Sequence, residues 1–202
     1  MITLESMMAI DKNALREAAG GLGREDIPQL VDWLGLKDNT IRYQAFLLLG
    51  HRAAFADDVY PYWNVFRDKL KSDNSYQRSI GLMLLAENAR WDAQNLMEHT
   101  IDEYLALLND EKPITIRQCI QTLEKIVPHK PELTDKIAAR LVSFDLMSVK
   151  ETMRKSILLD IINILLLIRK ELRSEEIEGF ILKALSGEVL DRKWKKQIEA
   201  AL

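Results

Sequence analysis

Five arginines recur along this 202-residue chain at intervals of 36, 39, 37 and 38 residues. They are Arg42, Arg78, Arg117, Arg154 and Arg192. A guanidinium group is permanently charged and presents a planar fork of donors, so such a column could hold the phosphate or carboxylate groups of a ligand. Each of the first three arginines also follows an aspartate by four to seven residues: Asp38, Asp73 and Asp110. We expect these arginines to pair with the aspartates, as a structural ladder that also includes Arg154, rather than to bind anions.

A compact basic cluster near the end of the sequence surrounds Trp194. It consists of Arg192, Lys193, Lys195 and Lys196. Cations around an aromatic ring could stack on and neutralise nucleic acid. Residues 145–202 hold 11 Lys and Arg against 10 Asp and Glu, so the region is barely positive. We therefore interpret the cluster as the solvated face of a last helix, in which Trp194 covers the end of the fold.

Residue types that carry catalysis or bind metals are sparse. The histidines His51, His99 and His129 are scattered without the spacing of metal ligands. Cys119 stands beside Ile116 and Ile120, which predicts a small core residue rather than a nucleophile. We expect no catalytic residue, no metal and no cofactor, and therefore a protein that is not an enzyme.

Charge and hydropathy place further bounds on the protein. The net charge of −3 gives no electrostatic reason to expect nucleic acid or an anionic membrane as a partner. The single cysteine fits a reducing compartment. The longest apolar run, 157–168, is shorter than the roughly 20 residues that a membrane span needs. We expect a soluble, cytoplasmic protein.

Apolar residues recur at helical spacing almost throughout, and strand signals are nearly absent. The pattern predicts one domain over 1–202, made of a capping helix at 1–23 and about five helical hairpins. The hairpins cover about 26–56, 59–92, 96–128, 131–170 and 174–202. Aligned on their arginines, the first two hairpins place Ala45 on Gly81, and leucines follow six and seven residues after each arginine. A small residue followed by leucines is what close helix packing requires.

A turn aspartate, an arginine that opens the second helix, and then small and leucine positions resemble the HEAT-repeat family. The resemblance covers about residues 26 to 202 and implies an all-α, α-α superhelix of the HEAT/ARM type. It also implies Asp and Arg ladders between neighbouring repeats and a concave face lined by the second helices.

Three stretches are similar to a group of small uncharacterised bacterial HEAT proteins that are often labelled SufBD protein. These are Ala89-Arg90-Trp91-Asp92, Asp110-Glu111-Lys112-Pro113 with Arg117-Gln118-Cys119, and His129-Lys130-Pro131-Glu132-Leu133. The label evokes iron–sulfur assembly. A cluster needs several thiolates, however, and this chain has one cysteine.

Among enzymes, we compare the sequence with the helical DNA glycosylases, which are built from HEAT-like units. They use an aromatic side chain and a carboxylate around a damaged base, and Trp91-Asp92 offers such a pair. Trp91 aligns with Phe55 at the end of a second helix, which favours a core role for it. A nucleic-acid-associated protein of this kind is therefore the alternative interpretation.

Positions one, five and eight after each arginine are variable but not strongly charged, as expected for a contact surface. The predicted contact residues are Tyr43, Leu47, Ser79, Met83, Gln118 and Thr122. Tyrosine and methionine suit such a surface because they supply adaptable apolar area. The sequence thus predicts a non-enzymatic scaffold that binds another protein or peptide.

The run 157–168 is apolar nearly all round, except for Asp160 and Asn163. Such a helix in a soluble protein must be buried on most sides. It lies either in the interior between neighbouring repeats or in a homodimer contact, and both interpretations stay open at this point.

Overall fold

The structure, a computed structural model, describes residues 1–202, and about 75% of them are helical, with no strand. The predicted all-α fold is confirmed. The chain divides into two compact units, Met1–Met97 and Glu98–Leu202. The single domain predicted over 1–202 stays a prediction.

The helices of unit 1 are α1 to α6, and α7 begins at its end. Their bounds are α1 Leu4–Met8, α2 Leu15–Gly20, α3 Ile27–Trp33, α4 Asn39–Ala53, α5 Trp63–Lys69, α6 Ser75–Asn88 and α7 Leu96–Ala106. Unit 2 holds the rest of α7 and five further helices. These are α8 Pro113–Ile126, α9 Thr134–Val142, α10 Glu151–Arg169, α11 Glu175–Ser186 and α12 Arg192–Glu199. From α3 onward, every helix lies within the predicted hairpins.

The N-terminal segment differs from the single capping helix predicted for 1–23. It forms two short helices, α1 and α2, because the Asp11 carboxylate accepts a hydrogen bond from the backbone N–H of Asn13 at 2.8 Å and begins a separate turn. The Gln44 side chain of α4 donates to the carbonyls of Met7 and Ile10, at 3.0 Å each. Gln44 thus bonds to two backbone carbonyl groups at the break between α1 and α2. The segment therefore packs on α4 as two pieces.

The core of unit 1 is built from the pairs α3–α4 and α5–α6, with α4 packed against both α2 and α6. Gly81 shows why a small residue is needed in α6. A Cβ atom there would lie 2.7 Å from the carbonyl oxygen of Phe66 in α5. The corresponding Ala45 of α4 is fully buried. The predicted pattern of small residues therefore reflects close helix contact.

In unit 2, α10 packs against α8, α9 and α11. Its buried face carries Ile157, Leu158, Asp160, Ile161, Ile162, Ile164, Leu165 and Ile168. Within the apolar run, Asn163 is the exposed residue. Packing inside unit 2 thus accounts for the run, and the homodimer through 157–168 stays a prediction. No helix combines the length and apolar character needed to cross a bilayer.

Candidate functional site

Arg42 does not pair with Asp38, so the sequence-based pairing of these two residues is wrong. The guanidinium group donates to the carbonyl oxygen of Leu36 at 3.1 Å and to the side-chain oxygen of Asn39. The Asp38 carboxylate instead accepts from two backbone N–H groups in the first turn of α4, at 2.8 and 3.1 Å. An aspartate at this position caps the helix and satisfies donors that lack intrahelical partners.

Arg78 and Arg154 also donate to turn carbonyls. Arg78 donates to the backbone carbonyls of Ser72 at 2.7 Å and Asp73 at 3.0 Å, so the group on Asp73 that it contacts is the main chain. Arg154 donates to two carbonyls of the turn before α10, each at 3.3 Å. At these three positions, the repeated arginine thus connects the start of a second helix to the turn that precedes it.

Arg117 forms an ion pair, although with Asp160 rather than with the predicted turn residue Asp110. Its Nε and Nη2 donate to the two oxygens of Asp160 at 2.6 and 3.2 Å, and Gln121 donates to the same carboxylate at 3.0 Å. The hydrogen bond with Asp160 raises the pKa of Arg117. Asp110 accepts from the backbone N–H of Lys112 at 2.7 Å. The pair joins α8 to α10, which is a link between two second helices.

The six predicted contact residues differ widely in exposure. Tyr43 is exposed over 55% of its surface, whereas Ser79 retains 7% and is removed from the contact surface because α6 is buried on most sides. Leu47 and Met83 are half-buried. These four residues lie in unit 1, and the two remaining candidates lie in unit 2.

Gln118 and Thr122 of α8 are half-buried. The Thr122 hydroxyl donates to the carbonyl of Gln118 and forms a hydrogen bond with the Tyr104 hydroxyl. The Gln118 side-chain oxygen is buried without a hydrogen-bond partner. Internal bonding thus occupies the hydroxyl of Thr122, one of the predicted contact residues.

Sequence reasoning missed Tyr76, which is exposed over 69% of its surface in the first turn of α6. The guanidinium carbon of Arg42 lies 6.0 Å from the centre of its ring, at the distance of a cation–π contact. Tyr43 stands next to Arg42 in α4 and faces Phe46, with ring centres 6.1 Å apart. The sequence did contain a signal for this residue, because Tyr76 stands two positions before Arg78, one of the five repeated arginines.

Lys69, the last residue of α5, is the second residue that sequence reasoning missed. Its Nζ donates to the Gln77 side-chain oxygen at 2.6 Å. Burial lowers the pKa of Lys69, and the neighbouring charge of Arg42 lowers it further. We call Arg42, Tyr43, Lys69 and Tyr76, which lie on α4, α5 and α6, the α4–α6 patch. It holds two exposed tyrosines and two cations, and Arg42 lies against the ring of Tyr76.

Trp91 and Asp92, the pair that invited comparison with DNA glycosylases, have structural partners. The indole N–H of Trp91 donates to the carbonyl of Ala53 at 2.6 Å. The buried Asp92 carboxylate accepts from two backbone N–H groups at the start of α7, at 2.7 and 2.9 Å, and from the Tyr60 hydroxyl at 2.9 Å. Burial and this hydrogen bond raise the pKa of Tyr60 to about 12. The pair therefore closes the α5–α6 hairpin and caps the next helix.

Cys119 is fully buried, and its thiol donates to the carbonyl of Tyr104 at 3.3 Å. Burial raises the pKa of the Cys119 thiol well above its usual range. A thiolate is the nucleophilic form, so this cysteine is inert in the folded protein. No group of three or more metal-ligating side chains occurs in the structure.

The basic cluster lies on α12. Arg192, Lys193 and Lys196 are exposed, and Trp194 is half-buried. Lys195 donates to the backbone carbonyl that ends α11, at 2.8 Å. Lys195 therefore links α12 to the end of α11, and the other three cations are exposed at the surface.

Comparison with known proteins gives a likeness of fold alone. No family model matches the chain. No curated protein matches it either. The solved structure of an engineered protein from the Northeast Structural Genomics Consortium matches with a TM-score of 0.55 and 18% sequence identity, over 100% of this chain and 96% of that chain. At that identity, the match carries no argument about function.

Proposed function

We propose that the protein is a non-enzymatic, cytoplasmic scaffold that binds another protein. In this proposal its helix pairs form a HEAT-like α-α superhelix of about five hairpins, related to the proteins labelled SufBD, and its second helices line the binding face. The observation that supports the proposal is the exposure of Tyr43 and Tyr76 near the starts of α4 and α6, two second helices that pack together.

Exposed tyrosines of this kind suit a protein partner. A tyrosine ring offers a large apolar surface with few rotatable bonds, so little conformational entropy is lost when it is buried. Covering such a ring contributes about 1–2 kcal/mol to binding. The guanidinium group of Arg42 also lies over the ring of Tyr76. These are the properties of an anchor residue in a protein interface.

Quantitative affinity capture tests the proposal. The bait proteins are the wild type, the Tyr43→Ser/Tyr76→Ser double variant and Val65→Ser. Val65 is an exposed apolar residue on α5, a first helix of the same unit, and serves as the matched control. We expect proteins that bind the wild type and Val65→Ser but not the double variant, and direct titration of the purified partner should confirm the loss. Identical capture by all three baits would overturn the assignment of the face.

A DNA column gives the result expected from the nucleic-acid alternative. Phosphate contacts release counterions, so retention through them decreases steeply with salt. Salt-dependent retention that requires Lys193 and Lys196 would contradict the protein-binding proposal for this chain.

A further inference from the structure

We propose that the α4–α6 patch binds a carboxylate group carried by an acidic segment of the partner protein. This inference rests on the proposed scaffold function and specifies the chemistry that the scaffold recognises. The observation behind it is that Arg42 and Lys69, two neighbouring cations, have only neutral hydrogen-bond partners.

Arg42 is unusual because it is buried to all but 7% of its surface and makes no ion pair. Its acceptors are a backbone carbonyl and an asparagine side chain, both uncharged. A guanidinium group has five N–H donors, and these two bonds leave donors that an arriving carboxylate could engage. The sequence-adjacent acid, Asp38, is occupied by the N–H groups of α4.

Lys69 adds a second charge without a counterion. Its Nζ donates to Gln77, which is neutral. Its own burial and the charge of Arg42 both lower the pKa of Lys69. A nearby carboxylate would raise this pKa instead. Two partly desolvated cations therefore repel each other in the free protein, and an anion between them would relieve that repulsion.

The first turn of α6 brings the two cations to one place. Arg42 lies over the ring of Tyr76, and Lys69 is bonded to the next residue, Gln77. This helix has 14 residues, and the partial positive charge at its N-terminus adds to the potential of the two side chains. Three sources of positive potential thus converge near the exposed ring of Tyr76.

The tyrosines favour a peptide carboxylate over a free anion. Tyr43 and Tyr76 supply exposed aromatic surface on which apolar side chains next to an acidic residue can pack. A small inorganic anion would use the cations and leave both rings exposed. The patch therefore matches an acidic segment that also carries apolar residues.

The test is a titration followed by two-dimensional ¹⁵N–¹H NMR. The probe is a capped synthetic peptide of alternating glutamate and leucine, and its glutamine–leucine analogue is the control. We expect the glutamate peptide to shift the amide signals of Tyr43, Tyr76 and Gln77, with binding that weakens as salt is added. The Lys69→Met variant should weaken the interaction about tenfold or more, while Lys170→Met, an exposed lysine of unit 2, should bind as the wild type does.

Three results of the titration would overturn the inference. They are equal binding of the glutamine analogue, unchanged affinity in Lys69→Met, and patch shifts with inorganic phosphate but not with the glutamate peptide. A captured protein that needs Tyr43 and Tyr76 but binds Lys69→Met normally would also overturn it, while leaving the scaffold function intact.

Discussion

Replacement of Gly81 by alanine tests how closely α5 and α6 approach each other. The new Cβ atom would lie 2.7 Å from the carbonyl oxygen of Phe66, 3.1 Å from Cβ of Lys69 and 3.2 Å from a methyl carbon of Leu70. Because the shortest contact is with the backbone, a side-chain rotation cannot relieve it. Phe66 is fully buried, so any movement of α5 disturbs the core of unit 1.

Two opposing terms determine the magnitude. Alanine in a helix interior is more favourable than glycine by about 1 kcal/mol. Overpacking of a filled core costs about 1–3 kcal/mol. We therefore expect Gly81→Ala to lower the free energy of unfolding by about 1 kcal/mol, which corresponds to a decrease of about 2–4 °C in melting temperature for a chain of this length.

Gly50 provides the matched control. It lies inside α4, and no atom would come within 4 Å of a Cβ added there. Gly50→Ala should gain the helix-propensity term without the overpacking term, and so should raise the free energy of unfolding by about 0.5–1 kcal/mol. The two identical substitutions, both in second helices of unit 1, are thus expected to have opposite signs.

Urea and thermal unfolding followed by far-ultraviolet circular dichroism measure both variants against the wild type. A Gly81→Ala variant as stable as Gly50→Ala would show that α5 and α6 are not in tight contact at this residue. The register that places Ala45 on Gly81 would then lose its physical basis.

Four further predictions concern single side chains. Asp38→Ala should lower the free energy of unfolding by about 0.5–2 kcal/mol. Asp38→Asn should lower it by only about a few tenths of a kcal/mol, because asparagine caps helices as well as aspartate does. If urea unfolding shows the asparagine variant to be as unstable as the alanine variant, Asp38 acts through an ion pair instead. Arg117→Ala should lower the free energy of unfolding by about 3 kcal/mol, and by more than Asp160→Ala does. The reason is that it leaves Asp160, the less exposed of the two charged side chains, without its ion-pair partner. Equal losses of stability in denaturant unfolding would contradict this. Tyr60 binds its proton more tightly in the folded state, so its contribution to stability is complete below pH about 10 and is lost as the pH rises through about 12. Tyr60→Phe should therefore reduce the decrease in stability at alkaline pH. An unchanged slope of the free energy of unfolding against pH would refute the assignment. Cys119 should resist Ellman's reagent in the folded protein and react on unfolding; rapid labelling under native conditions would show that it is accessible.

Helix positions were predictable because apolar spacing reports directly on the local backbone. The pairs α3–α4 and α5–α6 begin and end within a few residues of their predicted limits. The N-terminal segment was not predictable in the same way. Its apolar face continues through Asp11, but the side chain of that residue bonds to a nearby N–H group and starts a new turn. A local side-chain bond thus overrode a regular apolar pattern.

The candidate site was only partly accessible from the sequence. Tyr43 was identified because it follows an arginine of the column, and it is exposed as expected. Ser79 occupies the equivalent position in α6 but is buried. Equivalent positions in successive helices thus meet different neighbours, and this determines which of them can reach a partner.

By itself the sequence determined the helical composition, the limits of the helix pairs and the need for a small residue at Gly81, because these depend on spacing along one or two adjacent helices. The tertiary structure decided which groups meet across the fold: Arg117 with Asp160, Trp91 with the carbonyl of Ala53, and Lys69 beside Arg42. Those contacts depend on how each helix is rotated about its axis and how far it is shifted along its neighbour. Packing of the whole core sets both quantities, and residue spacing alone does not encode them.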